Sequence, residues 1–310
     1  MNDKELAEKI FLKKRLVPGH GTCSGCPIPI IARTCLSATN DPVVVSNATS
    51  CSEVTTTSFP FTSWNVPWIH SVFANSAATI SGVERAYFSL KKKGKIKDNV
   101  KFMVFAGDGG SYDIGLQSLS GAIERGHDFV YVCYQNEGYM NTGNQRSSAT
   151  ERGTSTTTTP SGKMSFGKQE YRKNFTEICI AHNPAYVAQA SVGDLIDLHT
   201  KMEKAFSIKG PKIINVFSPC PTNMKCPSNL SIKVAQLATE TNFWPLYEYE
   251  NGKYTINYKP SKKVPIDEFF KYQTKYSHLF KQENKYVLKE LQEHIDKEWK
   301  DLINKEKSSK

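Results

Sequence analysis

The chain has 310 residues, of which 39% are hydrophobic, and a formal net charge of +10. This suits a globular protein with one large α/β domain, or one domain with an appendage, and a sizeable core. The charged opening Met1–Glu5 leads into no long apolar stretch, and no run of about 18 apolar residues follows anywhere. The expectation is a cytoplasmic chain with no secretory signal and no membrane span.

Taken in chain order, Val43-Val44-Val45 reads as a buried strand. The dense basic run Lys91–Lys97 lies between a helix-like and a strand-like segment. It reads as a solvated loop, or as a docking point for an acidic protein partner. The other lysines are dispersed, which argues against a nucleic-acid surface. Phe102–Ala106 is a second strand, and Leu116, Leu119 and Ile123 follow at helical spacing before a third at Phe129–Val132. Asn141–Gly167 is a long polar loop that carries the only low-complexity stretch, Thr154–Thr159. Leu195, Leu198, Met202 and Phe206 mark another helix, and Ile213–Phe217 a fourth strand. Strand and helix alternating in this way predict an α/β fold, a mostly parallel sheet with helices on both faces. From about residue 231 the pattern changes to a hairpin with Asn251-Gly252 at its turn and an amphipathic helix from Val287 to Leu302. The predicted division is a domain over 1–230 and a C-terminal hairpin and helix arm over 231–310, packed on the core or on a partner subunit.

Gly107-Asp108-Gly109-Gly110 stands between a strand and a helix. Glycines there let backbone approach a phosphate, a helix N-terminus favours its charge, and Asp108 is placed to hold a divalent cation. Magnesium wants near-octahedral oxygen ligands, so further protein oxygens are expected. They come after the next strand, from the Asn136 side chain and the Gly138 carbonyl. Adjacent parallel strands end at one edge, so both segments meet in one crevice. This pattern is similar to the thiamine-diphosphate motif, a Gly-Asp-Gly followed a few dozen residues later by asparagine.

Eight cysteines in a cytoplasmic chain suit metal ligation and buried thiols better than disulfides. Cys23-Ser24-Gly25-Cys26 alone could be a zinc, iron–sulfur or redox site, or coincidence. Cys51 follows the first strand and Cys220 the fourth, so parallel strands bring both thiols to the edge that carries Asp108. Four cysteines there suffice for a [4Fe–4S] cluster, with Cys₄ zinc the main competitor. Nearness to an organic cofactor favours iron. Cys35, Cys133 and Cys179 sit in apolar contexts and read as core, while Cys226 rivals Cys220 as the fourth ligand.

With these motifs in hand, the chain resembles the β subunits of the pyruvate:ferredoxin oxidoreductases. The matching segments are Gly107–Gln117, Glu124–Phe129, Asn136–Gly143, Pro67–His70 and Ser218–Thr222, and the resemblance runs from about Gly19 to near Phe280. It implies a thiamine-diphosphate-binding fold of the pyrophosphate type, and a cofactor site of Gly107, Asp108, Gly109, Asn136, Gly138 and Asn141. It implies magnesium on Asp108, Asn136 and the Gly138 carbonyl, and a [4Fe–4S] cluster on Cys23, Cys26, Cys51 and Cys220. Asn141 would lie near the thiazolium ring and substrate as the catalytic side chain. Gly138, Met140 and Gly143-Asn144-Gln145 depart slightly from relatives, and none of these removes a ligand. The implied reaction is oxidative decarboxylation of pyruvate with coenzyme A, giving acetyl-CoA and CO₂, with electrons passing to ferredoxin. The implied partners are an α subunit supplying the activating glutamate, a γ subunit and a ferredoxin-like δ subunit.

Trp64, Trp68 and His70 either border the substrate or form a packed loop with a satisfied histidine; His20 beside the CxxC stays open. Alternatives in the same class act on 2-oxoglutarate or branched-chain 2-oxoacids. One from another class is a zinc-stabilised nucleic-acid-binding module, and a non-redox thiamine-diphosphate decarboxylase would leave four cysteines without a role.

Overall fold

A computed structural model describes residues 1–309. The first half contains α1 (Asp3–Lys13), α2 (Ile28–Ser37), β1 (Val43–Ala48), α3 (Cys51–Thr56), β2 (Trp68–Ser71) and α4 (Ser76–Lys92). Then come β3 (Lys101–Gly107), a π turn at Gly109–Asp113, α5 (Leu116–Glu124) and β4 (Val130–Gln135). The long loop that follows carries only a small hairpin, β5 (Ser161–Gly162) and β6 (Ser165–Phe166). Beyond it lie α6 (Phe175–Ile180), β7 (Tyr186–Ser191), α7 (Leu195–Ser207), β8 (Lys212–Phe217), α8 (Pro221–Met224) and α9 (Ser231–Glu240). The chain ends with β9 (Tyr247–Glu250), β10 (Lys253–Ile256), α10 (Ile266–Phe270), a 3₁₀ segment at Thr274–Phe280 and α11 (Lys285–Ser308).

Eight strands form one sheet in the order β10-β9-β7-β8-β4-β3-β1-β2. From β7 to β2 every pairing is parallel, and the β9–β10 hairpin adds to β7 antiparallel. The central strands are apolar on both sides because both sides are covered. On one face Val45, Phe105, Val132 and Val216 pack with α2, α7 and α9; on the other Val104, Tyr131, Cys133 and Ile213 pack with α4 and α5.

The four strands expected from sequence are β1, β3, β4 and β8. Two more parallel strands gave no such signal. In β7, Tyr186-Val-Ala-Gln-Ala-Ser, alanine and polar residues break up the apolar run, yet all six residues are buried. Gln189 is satisfied there: its amide nitrogen donates to Pro245 O at 2.9 Å and its oxygen accepts from Thr176 at 2.9 Å. β2 is a short edge strand led by Trp68.

The hairpin turn has φ of 51° at Asn251 and 81° at Gly252, the left-handed pair that a two-residue turn between twisted strands requires. α11 buries Val287, Leu291 and Ile295 in the same cluster as Val45, Phe105 and Phe217. Residues 231–309 therefore extend the sheet and help close its core. Among the described residues, no helix is long and apolar enough to cross a membrane.

Candidate active site

All six parallel strands point the same way, so the segments after β1, β3, β4 and β8 emerge along one edge. Two cavities open there. The first, about 310 Å³, is lined by Gly107–Gly110, Asn136, Gly138 and Asn141, with Phe73 and Tyr134 supplying much of its apolar wall. The second, about 180 Å³, is lined by Cys23, Cys26, Cys51 and Cys220. Cys51, Asn136, Met140 and Asn141 line both cavities and form a shared wall.

In the first cavity, the Asp108 carboxylate is 1% exposed. Its Oδ1 accepts the Asn136 backbone N–H at 3.2 Å, and its Oδ2 accepts the Ser147 hydroxyl. Burial pushes its pKa up to about 7, against the pull of the Ser147 and Asn136 hydrogen bonds. A divalent cation beside it would restore the charged form. The Asn136 amide oxygen faces two other oxygens, Asp108 Oδ1 at 2.8 Å and the Gly138 carbonyl at 2.9 Å. With the amide turned over, its nitrogen would donate to both. In that orientation the Asn136 amide joins Asp108 to the Gly138 carbonyl by two hydrogen bonds. The expected helix after Asp108 begins as a π turn, and regular α-helix starts only at Leu116. Gly109 is obligatory for a local reason: an added Cβ would lie 2.3 Å from the Tyr139 ring. That ring is fixed by its hydroxyl, which donates to Asp113 at 2.9 Å.

In the second cavity, the CxxC turn is closed by Cys26 N–H donating to Cys23 O at 3.0 Å. Gly25 has φ of 72°, and a Cβ there would lie 2.0 Å from the Ser228 carbonyl. The turn is thus pressed against the segment that precedes α9. Cys51 opens α3, and Cys220 leads into α8. Burial, with a smaller push from neighbouring cysteines, raises the Cys26 and Cys51 thiols to about 12. Burial also raises Cys220. The Asn141 backbone lies close enough to oppose the rise of the Cys51 thiol. Among the described residues, no three His, Cys, Asp or Glu side chains gather closely enough to hold one metal ion. The four cysteines line one cavity.

Residues 48–216 match the family model described as thiamine pyrophosphate enzyme, C-terminal TPP binding domain. The chain is 46% identical to pyruvate synthase subunit PorB of Thermotoga maritima, over 100% of this chain and 98% of that protein. It is also 46% identical to PorB of Methanocaldococcus jannaschii, over 91% of this chain and 94% of that one. The chain belongs to the pyruvate synthase β-subunit family. Another relative is ketoisovalerate oxidoreductase subunit VorB of Pyrococcus horikoshii, 42% identical over 96% of this chain and 97% of that protein. A solved 2-oxoglutarate:ferredoxin oxidoreductase from Magnetococcus marinus shares the fold, with a TM-score of 0.58 at 17% identity, covering 89% of this chain and 94% of that one.

The fold and family expected from sequence are those found, and family membership sets aside the nucleic-acid-binding alternative. In this β subunit Cys35, Cys133 and Cys179 are buried core thiols. Cys226 is buried too, but only Cys220 of the two lines the cysteine cavity. Trp64 is a core residue whose indole donates to Thr56 at 2.8 Å and whose ring stacks on Trp68. His70 is exposed and bonds Thr49, which lines the first cavity, at 2.7 Å. His20 is held by Thr22 at 2.9 Å. Lys93–Lys95 form the exposed turn after α4.

Three residues of the site carried no signal in the sequence. Ser147 is one hydroxyl among many in a polar loop. Asn223 donates from α8 to the Asn136 carbonyl at 2.9 Å. Lys275 pairs with Glu137 between Asn136 and Gly138, both side chains fully buried.

Proposed function

We propose that this chain binds thiamine diphosphate through magnesium, carries one [4Fe–4S] cluster, and serves a pyruvate:ferredoxin oxidoreductase as its β subunit. The observation that carries this reading is the shared wall of Cys51, Asn136, Met140 and Asn141 between a diphosphate-type cavity and a four-cysteine cavity. Asp108, the Asn136 side-chain oxygen and the Gly138 carbonyl would hold magnesium, with diphosphate and water completing its shell. Gly107 and Gly109 would present backbone to the diphosphate, and Tyr139 and Phe73 would shield it. Asn141 offers its side chain at the shared wall, where substrate would meet the ring. Cys23, Cys26, Cys51 and Cys220 would hold the cluster. Cys₄ zinc is the competing occupant, and the adjoining cavity for a redox-capable cofactor favours the cluster.

When bound, thiamine diphosphate supplies the electron sink for loss of CO₂ from a 2-oxoacid, and the cluster takes up electrons singly. The chain's own residues bring the two cofactors to one wall and keep bulk water from Asp108. An α subunit would supply the glutamate that activates the ring, γ and ferredoxin-like δ subunits would complete the complex, and ferredoxin and coenzyme A would take the electrons and the acyl group. Cytoplasmic location is part of this proposal. The ketoisovalerate relative favours a second reading, a branched-chain 2-oxoacid as substrate at the same site.

The test is cofactor analysis of the complex, tagged on this chain and purified without oxygen from its native host. Thiamine diphosphate and magnesium at one per chain are expected, together with iron and sulfide lost on Cys51→Ser. Zinc in place of iron would overturn the cluster assignment.

A further inference from the structure

The Lys275–Glu137 pair joins residues 138 positions apart, and neither side chain is exposed to solvent. Stability does not account for it. Removing two charges from water costs about as much as their attraction returns, and apolar residues of similar volume hold a fold as well or better. One carboxylate oxygen, Glu137 Oε1, is left with no partner at all.

The position of the pair is more informative. Glu137 has φ of 65° and lies between Asn136 and Gly138; its own carbonyl accepts from Thr150 at 2.7 Å. Lys275 comes from the 3₁₀ segment at Thr274–Phe280, which packs on α8, the helix directly after Cys220. The neighbouring Thr274 hydroxyl donates to Lys225 O at 2.5 Å, and Asn223 of α8 donates back to Asn136 O. The pair therefore lies where the Asn136–Gly138 turn meets a 3₁₀ segment that packs on α8.

We propose that Lys275 is a positioning residue for electron transfer, a fixed buried cation held by Glu137 that raises the reduction potential of the cluster bound beside Cys220. The inference rests on the cluster reading given above. One-electron reduction adds a negative charge to the cluster, and a nearby cation in a low-dielectric interior stabilises that added charge. The partner carboxylate fixes where the cation sits, as groups around a metal site commonly do. Reduction then becomes easier for a donor in the adjoining cavity.

The experiment is an EPR-monitored potentiometric titration of the whole complex. The signal that disappears in Cys51→Ser identifies this chain's cluster. In Lys275→Met the ratio of reduced to oxidised cluster at fixed poise should fall about tenfold, a shift of 59 mV to lower potential for a one-electron couple. Lys275→Arg should keep the wild-type midpoint. Because Lys275→Met strands a buried carboxylate, Glu137→Gln/Lys275→Met provides a second variant without either charge, and its midpoint should fall between the other two. Full cluster content with an unchanged midpoint in both methionine variants would overturn the inference alone. A wild-type complex with no signal that depends on Cys51 would overturn the cluster assignment, and the inference with it.

Discussion

On the proposed reading, Asp108 is the carboxylate that takes the cation. Burial holds its pKa near 7, while the Ser147 hydroxyl and the Asn136 amide favour the ionised form. Hydrogen bonds to charged groups contribute about 1.5–3 kcal/mol. Ser147→Ala should therefore weaken magnesium–thiamine diphosphate binding by roughly 10- to 100-fold, measured calorimetrically on cofactor-stripped complex, with iron content unchanged. Equal affinity in the variant would remove Ser147 from the site. The cysteines allow a sharper contrast. Cys51→Ser should lose iron and sulfide more than thiamine diphosphate, whereas Cys226→Ser should keep iron, since Cys226 lies outside the cysteine cavity. Iron lost from Cys226→Ser and kept in Cys220→Ser would exchange the two assignments.

Among the elements, the strand ends do the positioning. β1, β3, β4 and β8 were legible because runs such as Phe102–Ala106 are apolar and β-prone, and their parallel order follows from the helices between them. Asp108, Asn136, Cys51 and Cys220 were legible for the same reason, as each stands just past such a run. β7 was not, because Ala188, Gln189 and Ala190 are buried by neighbours from elsewhere in the chain. Ser147, Asn223 and Lys275 stayed hidden likewise: each contact depends on tertiary placement, and a lysine from a charged C-terminal stretch gives no hint of full burial. The CxxC turn, visible as a motif, owes its place to Gly25, whose left-handed backbone fits under the Ser228 carbonyl. Gly25→Ala must push that carbonyl away or distort the turn. We expect lower iron content with an unchanged far-ultraviolet circular dichroism spectrum; full iron loading would show that the turn is free to adjust.

The molecule as a whole is organised so that both cavities sit on one edge of a sheet whose far end is finished by the C-terminal residues. The β9–β10 hairpin extends the sheet, and α11 plugs the core with Val287, Leu291 and Ile295. Leu291→Ala should cost about 2–5 kcal/mol and lower a single cooperative melting transition. Two separate transitions, with only the smaller one affected, would instead make residues 231–310 an independent unit. The same C-terminal region supplies Lys275, which pairs with Glu137 between Asn136 and Gly138.

The most direct test of the whole account is viologen reduction by the complex purified without oxygen through this chain, with coenzyme A present and pyruvate or ketoisovalerate as the 2-oxoacid. The account predicts reduction that requires both thiamine diphosphate and coenzyme A, is fastest with pyruvate, and is abolished by Cys51→Ser. Preference for ketoisovalerate would keep the site and change the substrate. An iron-loaded, thiamine-diphosphate-containing complex that reduces viologen with no 2-oxoacid would contradict it.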